Sequence, residues 1–438
     1  MADSGTSRRL GGRAILVVIL LLALALRVGW AATRPTSDKT LEGLPDQLEY
    51  LGLARNLVAG RGYWFIDQRL ADRVYAFRTP GFPLFLAAWG ANVRVALIVQ
   101  SVLAASTVLA VYLLALLLFP DTPDPRIDRR KSRRRVALFA AALVAFNPFL
   151  VYFCGLLLSE TVFSAMLMWA MVLLLAGRGA AGERRPGYPW LLGGFLLALS
   201  ILVRPSAIGL PLLLGIAAAF VNRKRAGAYH EGLLQSERGW PMPLGTTLLL
   251  LTLLVLFPWA IRNRSTLHHW VWIDTNGGFT LYDGYNPDAT GASDQKFVQY
   301  MPQLRTMNEV QRSQYLQNRA LEFIRKNPRQ ALELAGAKFV RTWSPVPLSE
   351  QYSQQQYQII GLCFALPLDV LVLWGLAAGN LTRSAKVFLL LPAIYLSVVH
   401  MMTVGSLRYR LPAEPALAIL AASVLGTAVR ERQKIASD

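Results

Sequence analysis

Two acids and an arginine in one polar segment are the residues of this sequence best suited to chemistry. Asp46 and Glu49 lie three positions apart in a pattern that predicts a helix, and Arg78 precedes two prolines further along the same segment. A carboxylate that is held rigidly and stays ionised can serve as a general base. An arginine can bind a phosphate group through two parallel hydrogen bonds. The segment therefore indicates proton transfer close to a bound phosphate.

Simpler interpretations of the same residues stay open from the sequence. Asp46 and Glu49 have the spacing of a capping box, in which side chains satisfy the first backbone N–H groups of a helix. Arg78 could instead extend its charge to the lipid surface without binding a ligand. In that case the segment is only a connecting loop that contains a capped helix.

Further charged residues lie at the ends of apolar stretches on the same predicted side. Glu160 begins one stretch and is expected either to cap its helix or to supply a second carboxylate. Arg204 lies at a short turn between two apolar stretches, and a cation at that depth requires an anion. Arg262 and Arg408 flank other stretches on this side, so we expect an anionic ligand there.

Motifs for metals and nucleotides are not found in the sequence. His268 and His269 are adjacent, and adjacent residues do not converge on one ion as residues four apart on a helix do. We find no P-loop, no dinucleotide-binding fingerprint and no nucleophile elbow. The sequence therefore assigns no metal ligand and no certain cofactor, and it leaves a divalent cation as an open alternative.

Composition places the chain in a membrane. Of its 438 residues 54% are hydrophobic and 16% are charged, whereas soluble chains carry about 25% charged residues. The net charge of +19 does not indicate nucleic acid, because the densest basic run, residues 129–135, lies in a short gap between two apolar stretches. The positive-inside rule places arginine and lysine in such gaps. Membrane lipids are therefore expected partners and nucleic acid is not.

Ten membrane spans with both termini in the cytoplasm are predicted from the apolar stretches and the basic gaps between them. The spans are expected at about 14–32, 93–119, 136–153, 156–176, 189–203, 206–221, 244–260, 358–378, 386–403 and 412–428. This arrangement leaves two long polar segments on the outer face, residues 33–92 (the first loop) and residues 261–357 (the second loop).

Three parts of the chain are expected from this topology. They are an N-terminal membrane module at 1–260 with the catalytic first loop inside it, an outer (periplasmic) helical segment at 261–357, and a C-terminal membrane module at 358–438. No internal repeat relates the two halves of the chain, which lowers the case for an inverted-repeat transporter.

The second loop shows two kinds of local pattern. Residues 274–291 are rich in glycine and asparagine and are expected to lack regular structure. Residues 308–327 have helical periodicity, and a second helix is expected over about 328–342 after a proline.

An ordered set of short motifs runs through most of the chain. The motifs are Asp46-x-x-x-Tyr50, Leu53-Ala54-Arg55-Asn56-Leu57, Gly60-x-Gly62-Tyr63, Arg78-x-Pro80-x-x-Pro83, Ser159-Glu160, Arg204-Pro205, Pro258-Trp259-x-x-Arg262-Asn263, Asn327-Pro328 with Lys338 and Trp343, and Arg408-Tyr409-x-x-Pro412. Together they resemble the GT-C glycosyltransferases, in particular the branch of the protein O-mannosyltransferases and the lipid A aminoarabinose transferase (glycosyltransferase family 39-like).

The resemblance implies an all-α polytopic membrane enzyme with a GT-C-like bundle of about ten transmembrane helices. Such an enzyme would be an inverting glycosyltransferase that moves a hexosyl or pentosyl group from a polyprenyl-phosphate sugar to an acceptor. The reaction would take place on the outer face of the cytoplasmic membrane, and the acceptor (a lipid, a glycan or a protein) stays open.

The resemblance also implies roles for individual residues. The first-loop acid of the family falls on Asp46, the expected base, and the basic residue before its prolines falls on Arg78, the expected phosphate ligand. Glu160 matches the later acid of the site. The family commonly has an acid directly after the first one, where this chain has Gln47, so Glu49 is expected to take part of that role.

Two further groups of residues complete the expected site. Arg204, Arg262 and Arg408 are expected to bind the donor phosphate together with Arg78. The tyrosines of the matched motifs are expected to contact the substrate: Tyr50, Tyr63 and Tyr409.

Two other classes of protein fit the same residues. A transporter or flippase of a lipid-linked sugar would bind the same phosphate with the same arginines but would need no base. A non-catalytic partner in envelope synthesis would show no turnover. The substitution Asp46→Asn distinguishes these classes, because only the transferase depends on the carboxylate.

Overall fold

The computed structural model of the chain describes residues 5–119, 129–177, 187–227, 244–348 and 354–425. Several basic stretches that contribute to the predicted orientation lie outside the described residues, at 178–185, 228–238 and 430–434.

Helices make up most of the described residues, and one small hairpin holds the strands found among them. The helices are α1 (Gly5–Thr33), α2 (Asp38–Leu41), α3 (Pro45–Val58), α4 (Gly81–Ala87), α5 (Val93–Leu118), α6 (Arg129–Ala145), α7 (Pro148–Phe153), α8 (Ser159–Ala176), α9 (Tyr188–Val203), α10 (Leu210–Gly227), α11 (Leu244–Leu267), α12 (Asn276–Gly284), α13 (Glu309–Lys326), α14 (Pro328–Trp343), α15 (Gln355–Ala378), α16 (Arg383–Met401) and α17 (Glu414–Ala422). In the first loop, β1 (Phe65–Asp67) pairs antiparallel with β2 (Asp72–Val74).

Each predicted span overlaps helix among the described residues, although the span at 136–153 is divided between α6 and α7 and residues 426–428 of the last span lie outside the described residues. Among the described residues, seven helices are long and apolar enough to cross a membrane: α1, α5, α8, α10 with the turn before it, α11, α15 and α16. A shorter apolar helix, α9, accompanies them. The prediction of an all-α membrane protein is confirmed, while the number of ten spans stays a prediction.

The helix that carries Asp46, α3, begins with a proline. Leu44 is its N-cap residue and Pro45 occupies the first helical position, where the N–H that proline lacks would have had no partner within the helix. Asp46 therefore lies inside the first turn, and its oxygens accept hydrogen bonds from arginine side chains. The capping-box interpretation of Asp46 and Glu49 is wrong.

The glycine-rich stretch at 274–291 contains α12, so the expectation that it lacks regular structure is wrong. α12 buries Phe279 and Tyr282 and packs against α13. A Cβ atom on Gly278 would lie 2.0 Å from the carbonyl oxygen of Ser313, so glycine permits this close approach of the two helices. Tertiary packing outweighs the low intrinsic helix propensity of glycine and asparagine here. The two helices predicted after it, α13 and α14, are present.

The first and second loops pack together. The Glu309 carboxylate on α13 accepts hydrogen bonds from the backbone N–H groups of Tyr75 and Ala76 at 2.7 and 2.9 Å. The backbone N–H of Thr275 donates to the carbonyl of Ala76 at 2.9 Å. Since the chain beyond Ala76 leads directly to Arg78, the second loop fixes the backbone on which Arg78 lies.

Three polar side chains are buried in contact with one another between the start of α7 and the start of α17. We call them the buried cluster (Asn147, Arg410 and Glu414). The Asn147 amide donates to Glu414 Oε2 at 2.6 Å, and Arg410 Nε donates to Glu414 Oε1 at 2.9 Å. Arg410 also donates to the carbonyl of Ser344 at 3.0 Å. Each carboxylate oxygen of Glu414 thus has a dedicated partner, as buried polar groups require.

Candidate active site

Arg78 is in direct contact with both acids of the first loop. It donates from Nη2 to Asp46 Oδ1 at 2.6 Å and from Nε to Glu49 Oε2 at 2.7 Å. Residues three apart on a helix lie on the same face, so both carboxylates of α3 reach one guanidinium. Arg78 is therefore shared between two acids.

An arginine from the far end of the chain occupies the second oxygen of Asp46. Arg408 Nη2 donates to Asp46 Oδ2 at 2.7 Å, and Arg408 Nε lies 3.2 Å from Glu160 Oε1. The same Glu160 oxygen lies 3.0 Å from Arg204 Nη1. The N-cap residue of α8 is Leu158, and Glu160 lies in the first turn of that helix. Glu160 is thus the anion that the buried Arg204 requires.

Acids and arginines from four parts of the sequence therefore alternate along one line. We call it the ion-pair row, and its members in spatial order are Glu49, Arg78, Asp46, Arg408, Glu160 and Arg204. Three carboxylates face three guanidinium groups, so the formal charge of the row is zero.

Two of the three predicted substrate-contact tyrosines flank this row. The Arg78 guanidinium carbon lies 5.3 Å from the ring centre of Tyr50. The ring centre of Tyr409 lies 5.1 Å from the guanidinium carbon of Arg408 and 5.3 Å from the guanidinium carbon of Arg204. All three distances are within the range of cation–π contacts. The tyrosine rings thus help to orient the arginines.

Tyr63 and Arg262 contact the backbone of the first loop rather than the carboxylates of the row. Arg262 donates to the carbonyl oxygens of Tyr63 and Tyr75, each at 2.6 Å. The Tyr63 hydroxyl donates to the carbonyl of Arg78 at 2.9 Å. These two residues hold the loop on α11 and fix the backbone of Arg78.

The pKa values of the two first-loop acids shift in opposite directions. Burial acts to raise the pKa of Asp46, but the charges of Arg78 and Arg408 outweigh it and hold that pKa well below its ordinary value. Burial raises the pKa of Glu49, assisted by the negative charge of Asp46. Because the two acids share Arg78, they titrate as a coupled pair, with Asp46 the more firmly ionised member.

A cavity of about 1530 Å³ lies beside the row, with Asp46, Glu49, Arg78 and Arg408 in its wall. Two groups of contacting side chains stand out among its remaining lining residues, and we name them the aromatic end and the polar end. The aromatic end is built from α1, α7 and α15 and includes Trp30, Phe149, Tyr152, Tyr357 and Ile360; the polar end is built from the two loops and includes Asp67, Arg69, Asp283, Ser293 and Gln295.

Solved structures were compared with this fold. The oligosaccharyltransferase AglB from Archaeoglobus fulgidus, in complex with an inhibitory peptide and a dolichol-phosphate, matches at a TM-score of 0.55 with 13% identity, over 96% of this chain and 50% of that one. Its apo form matches at 0.55 with 14% identity, over 97% of this chain and 51% of that one. The chain thus spans about half the length of the oligosaccharyltransferase that it matches.

The chain has a GT-C fold. ArnT from Cupriavidus metallidurans bound to undecaprenyl phosphate also aligns, at a TM-score of 0.35 with 14% identity, over 97% of this chain and 79% of that one. No protein-family model matches the sequence, and no curated protein matches it significantly. The GT-C fold agrees with the fold that the sequence motifs implied.

One cation next to the ion-pair row was not predicted from the sequence. Arg69 in the turn between β1 and β2 binds both oxygens of Asp67, at 2.8 and 2.9 Å, and also hydrogen-bonds Gln295 of the second loop. Its guanidinium lies 3.6 Å from Glu49, so it stands next to the end of the ion-pair row. The signal available in the sequence was only an Asp-x-Arg pair in a short turn.

Gln47, which stands where the resembled family commonly has an acid, joins α3 to the backbone of two other segments. Its amide oxygen accepts from the backbone N–H of Leu157 at 2.9 Å, and its amide nitrogen donates to the carbonyl of Leu41. The Gln47 side chain is buried, whereas Glu49 contacts Arg78. An amide suits this position, because it must both donate and accept.

No cluster of three or more histidine, cysteine or acidic side chains suited to a metal ion occurs in the part of the chain that the structure describes. The divalent cation left open by the sequence therefore has no assigned ligands here. Its involvement stays a prediction.

Proposed function

We propose that this protein is an inverting glycosyltransferase that moves a sugar from a polyprenyl-phosphate donor to an acceptor. The site would lie on the outer face of the cytoplasmic membrane, with both termini inside. The observation that carries the proposal is the ion-pair row in the wall of a cavity that has one aromatic end and one polar end.

The arginines of the row suit the phosphate of the donor. Arg78 and Arg408 line the cavity, and both direct Nη2 to the same carboxylate, so one phosphate could take a hydrogen bond from each. Charge-assisted bonds of this kind are roughly twice as strong as neutral ones. AglB, which shares the fold, was solved with a dolichol-phosphate, and this supports a polyprenyl-type carrier for the present chain.

The two ends of the cavity suit the two substrates. Aromatic and aliphatic side chains of α1, α7 and α15 provide apolar walls for the first isoprene units of a polyprenyl chain. The polar end, with its carboxylates, amides and hydroxyls, suits an acceptor or the sugar itself. Because the second loop contributes Asp283, Ser293 and Gln295 there, we expect acceptor choice to depend on that loop.

Inversion requires a base on one side of the anomeric carbon and a stabilised leaving group on the other. Asp46 supplies the base, since its carboxylate stays ionised at neutral pH. Arg78 and Arg408, with Arg204 behind them, supply positive charge where the phosphate leaves. Glu49 and Glu160 hold those arginines in place. The sugar transferred is a hexose or a pentose derivative, and the acceptor is a lipid, a glycan or a protein.

A strain that lacks the protein tests the proposal. We expect it to accumulate a polyprenyl-phosphate sugar, detected by mass spectrometry of lipid extracts, and we expect the wild-type chain to clear it. Asp46→Asn should fail to clear it. Asp38→Asn, the same substitution in an exposed pair of the same loop, should succeed.

The transporter class predicts a different result. A flippase needs the arginines but no base, so Asp46→Asn would clear the lipid as well as the wild type does. Clearance by Asp46→Asn at the wild-type rate, with equal protein in the membrane, would therefore contradict the transferase assignment.

A further inference from the structure

Asp46 has a charged donor on each of its oxygens. Oδ1 accepts from Arg78 Nη2 at 2.6 Å and Oδ2 accepts from Arg408 Nη2 at 2.7 Å. A general base needs an oxygen within hydrogen-bond reach of the proton it takes. With this pairing each oxygen can still accept another hydrogen bond, but two arginines stabilise the negative charge of Asp46, so the carboxylate is a weak base towards an approaching hydroxyl.

The arginines that hold Asp46 are the same two that the proposed function assigns to the donor phosphate. Each has a second anchor through Nε. Arg78 Nε donates to Glu49 at 2.7 Å, and Arg408 Nε lies 3.2 Å from Glu160. A phosphate can therefore take the Nη2 groups while both guanidinium groups stay anchored.

We infer that binding of the donor phosphate releases Asp46 from its two arginines, so that Asp46 becomes a competent base only when the donor is in place. The inference rests on the proposed function and adds an order to it: the donor binds first, and the acceptor is deprotonated second. An acceptor hydroxyl that reaches the site without the donor meets a carboxylate that is too weak a base to take its proton.

The reaction that follows balances in atoms and electrons. The acceptor O–H bond breaks and its proton passes to a freed oxygen of Asp46. The acceptor oxygen forms a bond to the anomeric carbon as the bond from that carbon to the phosphate oxygen breaks. The electron pair of the broken bond stays on the phosphate, which leaves as a polyprenyl phosphate held by Arg78 and Arg408.

The titratable and charged groups around Asp46 decide the direction of the effect. Arg78 and Arg408 stabilise its charge, whereas Glu49 on the same helix disfavours it. Tyr50 follows on that helix, and Glu160 lies beyond Arg408. When phosphate takes the two Nη2 groups, the stabilising contacts weaken and a further negative charge arrives, so the affinity of Asp46 for a proton must rise.

Infrared difference spectroscopy of the protein in nanodiscs tests the exchange. The band of Asp46 is the carboxyl band that disappears in Asp46→Asn, and its titration is followed with and without undecaprenyl phosphate. We expect the lipid to raise the midpoint by about 1–3 pH units, the typical effect of a close arginine. Arg329→Gln, which removes an exposed arginine of α14, should titrate like the wild type.

Variants of Arg408 give an independent test. In Arg408→Gln the midpoint should already be raised without lipid, and the lipid should move it less. If that variant does not fold, Arg408→Lys serves instead, since it keeps the charge but loses the planar fork, and an intermediate midpoint is expected.

The outcomes separate this inference from the proposed function. An unchanged midpoint in wild-type protein that binds the lipid overturns the release of Asp46 and leaves the transferase assignment standing. Failure of the wild type to bind undecaprenyl phosphate, measured separately by native mass spectrometry, overturns both.

Discussion

Arg408 and Arg410 stand two residues apart, and each pairs with a carboxylate, yet their surroundings differ. Arg410 and Glu414 are 2% and 4% exposed and, with Asn147, bind one another inside the bundle. Arg408 and Asp46 are 25% and 24% exposed and lie in a cavity wall. Asp46 also binds Arg78, and Arg408 also contacts Glu160. We call Arg410 and Glu414 the closed pair. We call Arg408 and Asp46 the open pair, because a ligand in the cavity can reach them.

The difference shows how the same residue types serve structure in one place and chemistry in another. A closed buried pair has no capacity left for a ligand and contributes to the fold only while it stays intact. An arginine shared between two carboxylates can give one of its bonds to a phosphate and keep the other. Access to the cavity, together with shared partners, therefore marks the residues proposed to act on substrate.

Breaking the buried cluster should have the largest effect. Arg410→Ala leaves Glu414 buried without its cation, which costs about 3–5 kcal/mol, so the protein should unfold at a much lower temperature or fail to accumulate. Thermal unfolding in detergent measures this. A midpoint equal to that of the wild type would remove the distinction between the closed and the open pair.

Breaking the open pair should change ligand binding more than stability. In Arg408→Gln, Asp46 keeps Arg78 and Glu160 keeps Arg204, so the unfolding temperature should stay close to that of the wild type. Loss of a charge-assisted hydrogen bond of about 1.5–3 kcal/mol should weaken the binding of undecaprenyl phosphate by about 10- to 100-fold. Unweakened binding would show that Arg408 is not a phosphate ligand.

Lys338 is a third case, a buried lysine to which no carboxylate is bonded among the described residues. Its side chain is fully buried, its Nζ lies 3.3 Å from the ring centre of Tyr285, and no hydrogen-bond acceptor contacts it among the described residues. Burial lowers the pKa of Lys338 to about 7, against the attraction of Asp283.

The lowered pKa sets the direction of a pH effect. Above pH 7 the folded protein binds fewer protons at Lys338 than the unfolded chain does, so folding stability should rise with pH from about 7 towards 10. The rise is at most about 1.4 kcal/mol for each pH unit. Lys338→Met should lack it. Equal pH slopes for the two proteins in thermal unfolding would count against a neutral buried lysine.

The exposed pair of Asp38 and Arg55 should give the smallest effect. The two side chains are about half exposed and bind each other at 2.7 Å, and exposed pairs contribute at most about 1 kcal/mol. Asp38→Asn should therefore leave unfolding temperature, lipid binding and donor clearance nearly unchanged. A large loss of clearance would extend the functional site beyond the ion-pair row.

The sequence predicts best what depends on local spacing. Asp46 and Glu49 lie one turn apart, which places both acids on one helix face, and the apolar stretches locate the spans. Contacts made across the chain are harder to foresee. Glu160 lies in the first turn of α8, Arg204 follows α9, and Arg408 lies between α16 and α17. Only the ordered motifs and the predicted topology placed these three residues on one side.

Contacts to backbone atoms and close packing are the hardest features to predict from the sequence. Arg262 and Tyr63 bind carbonyl oxygens, which any sequence supplies, so residue type alone does not indicate these contacts, and their predicted roles towards the substrate stay predictions. Arg69 reaches the row through a short hairpin with a weak sequence signal. The helix α12 forms because Gly278 allows contact with Ser313, and that contact depends on a distant helix.

A structure of the protein with undecaprenyl phosphate bound tests the central proposal most directly. We expect the phosphate to lie between Arg78 and Arg408 and the lipid chain to lie along the aromatic end of the cavity. We also expect Asp46 to have lost its hydrogen bond to at least one of the two arginines. A phosphate bound away from the ion-pair row, with Asp46 still held by both arginines, would contradict it.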